Sequence, residues 1–401
     1  VFLFVLFGSL LDKAGAGNYF IKVAFSLLGH LRGGPAKAAV LASAMTGLIS
    51  GSSIANVVTT GTFTIPLMKR VGFTAEQAGS VEVASSVNGQ IMPPVMGAAA
   101  FLMVEYVGIS YLEVITHAFL PAVISYIALL YIVHLEALKN EMEGLPKPGA
   151  GKTIQARLIG TGISVSSIII LCGIVYYGIV GIKLVTGDFA GWVMAVAVFV
   201  IYVVLIAYAA RSPDLEMDDP NSELVRLPEF GPTFKTGLHY ILPIVVLVWF
   251  LMIERKSPGL SAFWASALML VILVTQRPLK EMFRKSGDVS IALSRGWADL
   301  IDGMIAGARN MIGIGVATAA AGIIVGTVTL TGIGQVMTEF VEILSGGNLI
   351  VMLILVAIIS LILGMGLPST ANYIVVSSLM AGVVVELGAA TRELFETYEI
   401  A

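Results

Sequence analysis

The chain has 401 residues, of which 57% are hydrophobic and only 12% charged, with a net charge of −3 and a mean hydropathy of +0.93. A soluble domain carries about a quarter charged residues, so the composition excludes a soluble globular protein, and the net charge gives no indication of nucleic-acid binding. Because one membrane crossing needs about 20 apolar residues, we expect an all-α polytopic membrane protein in contact with the lipid bilayer. The single Cys172 excludes a disulfide within the chain.

The first residues predict a partial crossing followed by an interfacial helix. Val1–Leu11 is apolar but lacks the basic start and the cleavage site of a signal peptide, so we expect the chain to begin inside a longer protein. Asp12–Pro35 then encloses Asn18–His30, whose apolar residues recur at helical spacing. This pattern predicts an amphipathic helix lying in the membrane interface.

A long apolar run from Ala36 to Met68 is interrupted at its middle by Ser50–Asn56, Ser-Gly-Ser-Ser-Ile-Ala-Asn. The two halves, Ala36–Ser50 and Val57–Met68, are each too short to cross a membrane, and together they predict a re-entrant hairpin. Irregular backbone at membrane depth is tolerated only where protein or a water-filled cavity satisfies its polar groups. The break is therefore a candidate binding site.

The next segment, Thr74–Val107, predicts a crossing that is itself broken. Small and polar residues occupy its middle at Ala84–Gln90, and the Met92-Pro93-Pro94 step removes further helix donors. Glu82 lies about one turn before this break, and either faces a cavity or hydrogen-bonds a helix end.

The middle of the chain alternates crossings with polar segments. Lys139–Gln155 is a polar loop, Arg211–Lys235 is an acidic and solvated linker, and Arg277–Asp302 is a basic, amphipathic loop. The crossings are predicted at Tyr111–Leu138, Ala156–Ile182, Phe189–Ala210, His239–Ile253, Ser257–Thr275 and Ile305–Leu330.

The N-terminal pattern recurs near the end of the chain. Gly332–Gly347 predicts a second interfacial helix, and the apolar run Leu349–Val385 is interrupted by Gly366–Asn372. Ser369, Ala371 and Asn372 match Ser53, Ala55 and Asn56. Since an odd number of crossings separates the two hairpins, we expect the two repeats to be inverted in the membrane.

Loop charges agree with this topology. Nearly all Lys and Arg residues fall on one side, and the other side receives only Lys183, Arg255, Lys256 and Arg392. By the positive-inside rule, the first hairpin opens from the cytoplasm and the second from the periplasm. The predicted divisions are a first repeat at 1–138 (hairpin 36–68, broken helix 74–107, crossing 111–138), scaffold helices at 139–304, and a second repeat at 305–401 (arm helix 332–347, hairpin 349–388).

The residues at the breaks suit a small cation and a carboxylate. Half-helices that meet at mid-membrane direct backbone amides and carbonyls into the gap, where amides suit an anion and carbonyls a cation. Neutral side-chain oxygens, the ligands that alkali cations prefer, come from Ser52, Ser53, Asn56, Ser85, Ser86 and Asn88. Sodium is the expected ion; the alternative is that these small residues only permit close helix packing. No HExxH, Walker A or GxSxG motif occurs, so we expect neither an enzyme nor an organic cofactor.

Several longer runs resemble one family, the fused permeases of TRAP transporters (tripartite ATP-independent periplasmic transporters) in their TAXI variant. These runs are Leu31–Lys37, Ser50–Gly61, Phe63–Arg70 and Gly89–Gly97. The resemblance implies an elevator-type, sodium-driven secondary transporter of the ion transporter superfamily, multi-pass in the bacterial inner membrane. It also implies delivery of a small carboxylate by a TAXI-type periplasmic substrate-binding protein, and a small membrane subunit fused N-terminally.

The resemblance also assigns candidate site residues. Sodium would be bound by Gly51, Ser52, Ser53, Asn56, Ser85, Asn88 and Gly89 at the first tip, and by Gly364, Gly366 and Asn372 at the second. Substrate would be bound by Ser53, Asn56, Thr60, Pro93, Pro94, Ser369, Thr370 and Asn372. The family has a second Pro-Pro broken helix that this sequence does not reach, so we expect residues to be missing at both ends.

Two other function classes compete with this interpretation. A passive channel also tolerates polar breaks at mid-membrane, although paired hairpins argue for two gates. A membrane-embedded enzyme would need paired catalytic groups, for which Asp299 and Asp302 are the nearest candidates. The sequence does not separate dicarboxylates, glutamate-like amino acids and 2-oxo acids as substrates.

Overall fold

The structure is a computed structural model, and it describes residues 2–50, 53–93, 108–146, 184–215, 227–285, 287–332 and 343–365, with only scattered residues within 96–104, 166–182, 336–340 and 372–389. Within these residues the chain is helical and forms no β-strand. The principal helices are α1 (Phe2–Lys13), α2 (Ala16–Leu28), α3 (Gly34–Ser50), α4 (Ser53–Arg70), α5 (Ala75–Asn88), α6 (Tyr111–Lys139), α7 (Ala190–Ala209), α8 (Phe230–Thr236), α9 (Ile241–Val248), α10 (Pro258–Arg284), α11 (Val289–Thr331) and α12 (Leu349–Gly364).

Several helices have the length and composition of membrane spans. In the described part of the chain, α6, α7 and α10 are long and apolar enough to cross a membrane, and α8 with the segment Leu238–Ile253 makes a fourth span if this pair, bent by 53°, counts as one. The expected polytopic, all-α membrane protein is thereby confirmed in outline.

Helices α3 and α4 form the predicted hairpin. The side chains of Thr46 and Asn56 are hydrogen-bonded at 2.5 Å, although ten residues of straight helix would separate them by about 15 Å. At the open end of the hairpin, Ala38 of α3 and Leu67 of α4 belong to one buried cluster. The chain therefore reverses direction between the two helices.

The second arm of this hairpin begins earlier than predicted. The sequence placed its start at Val57, whereas α4 begins at Ser53. The first backbone N–H groups of a helix have no intrahelical partner in any case, so the polar residues from Ser53 to Asn56 are tolerated in the first turn. Gly51 and Ser52 lie outside the described residues.

The predicted unwinding at Ala84–Gln90 is wrong over most of its length. Helix α5 continues through Asn88, and the regular structure then tightens into a 3₁₀ turn at Gly89–Ile91. Ser85 does not break the helix because its hydroxyl donates to the carbonyl of Val81 at 2.7 Å.

The predicted loop Arg277–Asp302 is also wrong. Helix α10 continues to Arg284, and α11 starts after Asp288, whose carboxylate caps its N-terminus. Helix α11 then runs for 43 residues and includes the predicted crossing Ile305–Leu330. The charges that suggested a loop lie at the helix surfaces, where Arg277 pairs with Asp299 of the neighbouring helix at 2.6 Å.

Buried clusters lie on two sides of α2, and α2 contributes to both sides. The scaffold cluster joins α1 and α2 to α7, α9 and α10. On the hairpin side, one cluster joins α2 to α3 and α4, and a second joins α3 and α4 to α5 and α6. The predicted helix at Asn18–His30 is confirmed as α2, which follows Gly15 (φ +104°) and is capped at its C-terminus by Gly29. It packs Tyr19, Phe20 and Val23 into the scaffold cluster, and Ile21, Ala24 and Phe25 against the hairpin.

Three predicted elements fall wholly or largely outside the described residues. They are the crossing Ala156–Ile182, the second interfacial helix Gly332–Gly347 and the second tip Gly366–Ala371. The acidic linker Arg211–Lys235 contains the short helix α8 at its end. The division into two inverted repeats and a scaffold stays a prediction.

Candidate functional site

Asn56 ties the two arms of the first hairpin together at its tip. Its side chain is only 2% exposed. Its Oδ1 accepts a hydrogen bond from Thr46 Oγ1 at 2.5 Å, and its Nδ2 donates to Ser43 Oγ at 2.7 Å and to Ser43 O at 3.2 Å. The tip is therefore a fixed arrangement of neutral oxygens.

The end of α5 lies directly against this tip. A Cβ added to Gly47 of α3 would lie 2.5 Å from Cα of Gly89, and one added to Gly89 would lie 3.4 Å from Nδ2 of Asn56. Only residues without a side chain allow backbones to approach so closely. The 3₁₀ turn at the end of α5 and the hairpin tip thus form one site.

A line of buried polar side chains leads from the tip to Glu82 on α5. Ser43 Oγ lies 3.2 Å from Ser86 Oγ, and Ser86 Oγ lies 3.4 Å from Oε1 of Glu82. The carboxyl group of Glu82 also accepts hydrogen bonds from Thr60 and Thr64 of α4. All these side chains are at most 1% exposed.

The structure brings some predicted site residues together and separates others. Asn56, Thr60 and Gly89 belong to the buried network. Ser85 and Asn88 instead face α6, since Asn88 Oδ1 accepts from Ser125 Oγ at 2.9 Å and the carbonyl of Ser85 lies 3.5 Å from the hydroxyl of Tyr126.

Of the five other residues predicted around the first tip, two are described and three are not. Ser53 is the first residue of α4 and is half-buried, and Pro93 is buried just after the 3₁₀ turn. Gly51, Ser52 and Pro94 lie outside the described residues.

Sequence reasoning missed two central members of the network. The sequence pattern offers Ser86 only as one of several neutral oxygens, and for Glu82 it does not decide between facing a cavity and hydrogen-bonding a helix end. A signal was present in Thr60 and Thr64, because residues four apart share one helix face and these two aim their hydroxyls at one point.

The second hairpin repeats the contact that closes the first tip. Nδ2 of Asn372 donates to the carbonyl of Ser360 on α12 at 3.0 Å, and a Cβ added to Gly364 would lie 3.2 Å from the same nitrogen. Met352 of α12 packs with Leu387, so the chain reverses here as well. Gly366, Ser369 and Thr370 lie outside the described residues.

The donor atoms fit an alkali cation. Oδ1 of Asn372 is buried and has no hydrogen-bond partner in the part of the chain that is described, which leaves an acceptor oxygen free for a cation. At the first tip, the amide oxygen of Asn56 lies beside the hydroxyls of Thr46 and Ser43, and oxygens of these kinds suit hard cations. Among the described residues there is no group of three or more His, Cys, Asp and Glu placed to hold a metal ion.

Comparison with known proteins relates the chain to one family. The family model described as the tripartite ATP-independent periplasmic transporter, DctM component, matches residues 1–187 and 179–392. The chain is similar to the C4-dicarboxylate TRAP transporter large permease protein DctM of Vibrio cholerae (24% identical over 291 residues, 71% of this chain and 58% of that protein) and of Rhodobacter capsulatus (35% over 91 residues, 23% and 21%).

It is also similar to the sialic acid TRAP transporter permease protein SiaT of Haemophilus influenzae, with 27% identity over 144 residues, 36% of this chain and 23% of that protein. The matched regions cover less than two thirds of the length of each of these curated relatives.

Proposed function

This chain belongs to the DctM-component family of tripartite ATP-independent periplasmic transporters, and from that premise we propose that it carries out sodium-coupled secondary uptake of an organic acid. In this proposal a periplasmic binding protein of the TAXI type delivers the carboxylate, and a small membrane subunit is fused N-terminally. The transporter would be multi-pass in the bacterial inner membrane.

The relatives support the substrate class. The family is one of transporter components and not of enzymes. The relatives are named as transporters of C4-dicarboxylates and of sialic acid, and both classes of molecule carry a carboxylate. We extend this shared group, and no particular acid, to the present chain.

The observation that carries sodium coupling is the pair of tip asparagines. Asn56 and Asn372 each donate to the backbone oxygen of a serine on the facing arm. The side-chain oxygen is buried in both: Oδ1 of Asn56 accepts from Thr46, and Oδ1 of Asn372 has no partner among the described residues. Two such tips would make two cation sites, and their likeness supports the inverted-repeat arrangement. Helix α2 packs both in the scaffold cluster and against the hairpin. It would therefore connect a moving hairpin domain to a scaffold in an elevator mechanism.

The substrate would lie between the two tips. Backbone amides at the start of α4 and the hydroxyls of Ser53, Ser369 and Thr370 would hold its carboxylate. Amides at a helix N-terminus favour a negative charge. The proposal therefore needs no Lys or Arg at the tips.

Transport by the reconstituted protein tests the proposal. A thermal-shift screen of the cognate binding protein against organic acids first identifies the substrate. Uptake of that acid into proteoliposomes should then require an inward sodium gradient and the binding protein. Uptake driven by ATP without sodium, or an ohmic and unsaturable flux typical of a channel, would overturn it.

A further inference from the structure

The turn before α10 carries two adjacent cations at a membrane surface. It joins the segment Leu238–Ile253, the second part of the bent candidate span, to α10, which begins at Pro258 and is itself a candidate span. Only Glu254–Ser257 lie between them, so the turn stays close to the ends of both helices. Arg255 and Lys256, both exposed, are therefore held near the level at which the apolar part of the membrane ends.

Backbone hydrogen bonds and a helix cap fix the shape of this turn. The first of the two spans ends in a π-helix at Trp249–Ile253, a form that occurs frequently at functional sites. The N–H of Lys256 donates to the carbonyl of Phe250 at 2.9 Å, and Oγ of Ser257 caps α10 by accepting from the N–H of Leu260 at 3.3 Å. The two cationic side chains thus start from a fixed backbone.

Arg255 adopts a backbone conformation that favours glycine. Its φ is +50°, in the left-handed region, where a residue with a Cβ is strained. Glycine would relieve this strain, so the backbone alone does not account for an arginine at this position. Strain of this kind points to a use of the side chain.

Within the described residues, neither cation is neutralised by a carboxylate. The ion pairs found there join other residues, and none of them involves Arg255 or Lys256. The one acid of the turn, Glu254, accepts a hydrogen bond from Nε1 of Trp249 at 3.2 Å. Two positive charges side by side on a fixed backbone repel each other and attract an anion.

An exposed apolar strip, formed by Leu260, Phe263 and Trp264, begins beside these charges. The ring of Phe250, whose carbonyl accepts from Lys256, stacks on the ring of Trp264 at a centroid distance of 6.5 Å. The three residues of the apolar strip share one face of α10 by their spacing and are 42%, 49% and 48% exposed. A cationic surface and an apolar surface therefore meet at the turn.

This combination favours a phospholipid over a soluble partner. A phospholipid carries its phosphate directly next to its acyl chains, in the same order as the cations and the apolar strip. A soluble acidic protein would engage the charges and leave the apolar strip without a partner. Basic side chains at a membrane surface attract anionic lipids, and aromatic side chains are enriched at the level of the lipid headgroups.

We propose that Arg255 and Lys256 bind the phosphate of an anionic phospholipid whose acyl chains lie along the apolar strip. The guanidinium and ammonium groups donate charge-assisted hydrogen bonds to the phosphate oxygens. The bound lipid fastens this end of α10 to the membrane. None of the residues assigned to sodium or to the organic acid takes part, so the inference does not depend on the proposed function.

Thermal stabilisation of the purified full chain in detergent tests the headgroup contact. Phosphatidylglycerol should raise the melting temperature at concentrations where phosphatidylcholine, whose choline cancels the phosphate charge, does not. Arg255→Gln combined with Lys256→Gln should lower the apparent affinity for phosphatidylglycerol about tenfold. Lys139→Gln combined with Lys285→Gln removes two exposed cations elsewhere and should leave that affinity unchanged. Equal losses in the two double variants would overturn the proposal, because the attraction would then be general.

Tryptophan fluorescence in nanodiscs tests the acyl-chain contact. A small fraction of phosphatidylglycerol with brominated acyl chains should quench the protein more strongly than the same fraction of brominated phosphatidylcholine. Trp264→Phe should remove this difference, and Trp297→Phe, at an exposed tryptophan of α11, should keep it. Equal quenching by the two brominated lipids would contradict a selective site.

Two other occupants are distinguished by the same measurements. Inorganic phosphate at the same concentration should give no stabilisation, because it lacks acyl chains. Stabilisation by phosphate as strong as that by phosphatidylglycerol would replace the lipid by a free anion. No response to phosphatidylglycerol in either measurement would overturn the proposal and favour a soluble acidic partner.

Discussion

Asn56 on α4 donates its side-chain amide to the backbone oxygen of Ser43 on α3, 3.2 Å away across the hairpin. The second hairpin contains the same bond, from Asn372 to Ser360. In each case the amide closes the hairpin through nitrogen and leaves the oxygen for other partners. In the proposed function, one residue type would serve hairpin stability through its nitrogen and cation binding through its oxygen, and substitutions can separate the two roles.

Asn56→Ala should destabilise the first hairpin. The change removes three buried hydrogen bonds, although Thr46 Oγ1 keeps the carbonyl of Ala42 and Ser43 Oγ keeps Ser86 Oγ as partners, so we expect a loss of about 1–3 kcal/mol in the free energy of unfolding. Thermal unfolding in detergent measures it. Asn140→Ala is the control: it removes one exposed hydrogen bond, to Gln77, and should therefore lose much less stability than Asn56→Ala. Equal melting temperatures for Asn56→Ala and the control would contradict the assigned role.

Asn372→Ala should mainly weaken the binding of sodium. The unpartnered Oδ1 is lost together with a single hydrogen bond, so we expect about a tenfold weaker apparent sodium affinity, worth about 1.4 kcal/mol. Asn372→Asp keeps an oxygen at the same position and should retain sodium binding. The measurement is sodium-dependent thermal stabilisation. Unchanged affinity in Asn372→Ala would remove this residue from the cation site.

Gly47→Ala should separate the hairpin from α5. Its new Cβ would lie 2.5 Å from Cα of Gly89, and overpacking of this kind costs about 1–3 kcal/mol. Gly79→Ala is a matched control, since nothing lies within 4 Å of an added Cβ on α5, and alanine favours a helix by about 0.5–1 kcal/mol over glycine. The two substitutions should therefore shift the melting temperature in opposite directions. A shift in the same direction would contradict the close approach.

Asp214→Asn should have an effect that depends on pH. Partial burial alone would raise the pKa of Asp214, but hydrogen bonds and charge from Arg284 and Lys280 lower its pKa to about 2. A lowered carboxyl pKa contributes stability above the unfolded value, near 3.8, and loses it as the pH falls toward 2.

Because the Asp214 side chain is 61% exposed, the expected loss at pH 7 is small, about 0.5 kcal/mol. Comparing the melting temperatures of the wild type and Asp214→Asn at pH 7 and pH 3 checks this. The difference should narrow at the lower pH. A difference that grew on acidification would show that the ion pair is not its source.

Apolar runs and their interruptions were sufficient to predict the hairpin and most helices. The reversal of the chain between α3 and α4 was predictable because each apolar arm is too short to cross a membrane by itself. The lengths of the two arms can be read from the sequence alone. The unwinding predicted at Ala84–Gln90 failed because Ser85 satisfies its hydroxyl within its own helix. The loop predicted at Arg277–Asp302 failed because charge marks an exposed surface and does not distinguish a loop from a helix end.

The environment of Glu82 could not be predicted in the same way. Its partners Thr60 and Thr64 lie on another helix, and their meeting depends on the turn that joins α4 to α5 and on the space at Gly61, where an added Cβ would lie 3.2 Å from Cγ of Glu82. A sequence shows which residues share a face of one helix. It does not show which two faces meet, so the roles of Ser86 and Glu82 emerge only from the packed structure.

Helix α2 gives the molecule a mechanical property. Its 13 residues make a rod about 20 Å long. Gly15 directly before it and Gly33, which follows it in the connection to α3, adopt backbone angles that other residues rarely take. A rod that is stiff in the middle and jointed at both ends transmits displacement while allowing its ends to rotate. In the proposed elevator mechanism, the hairpin would change its tilt against the scaffold without any hydrogen bond inside the rod being broken.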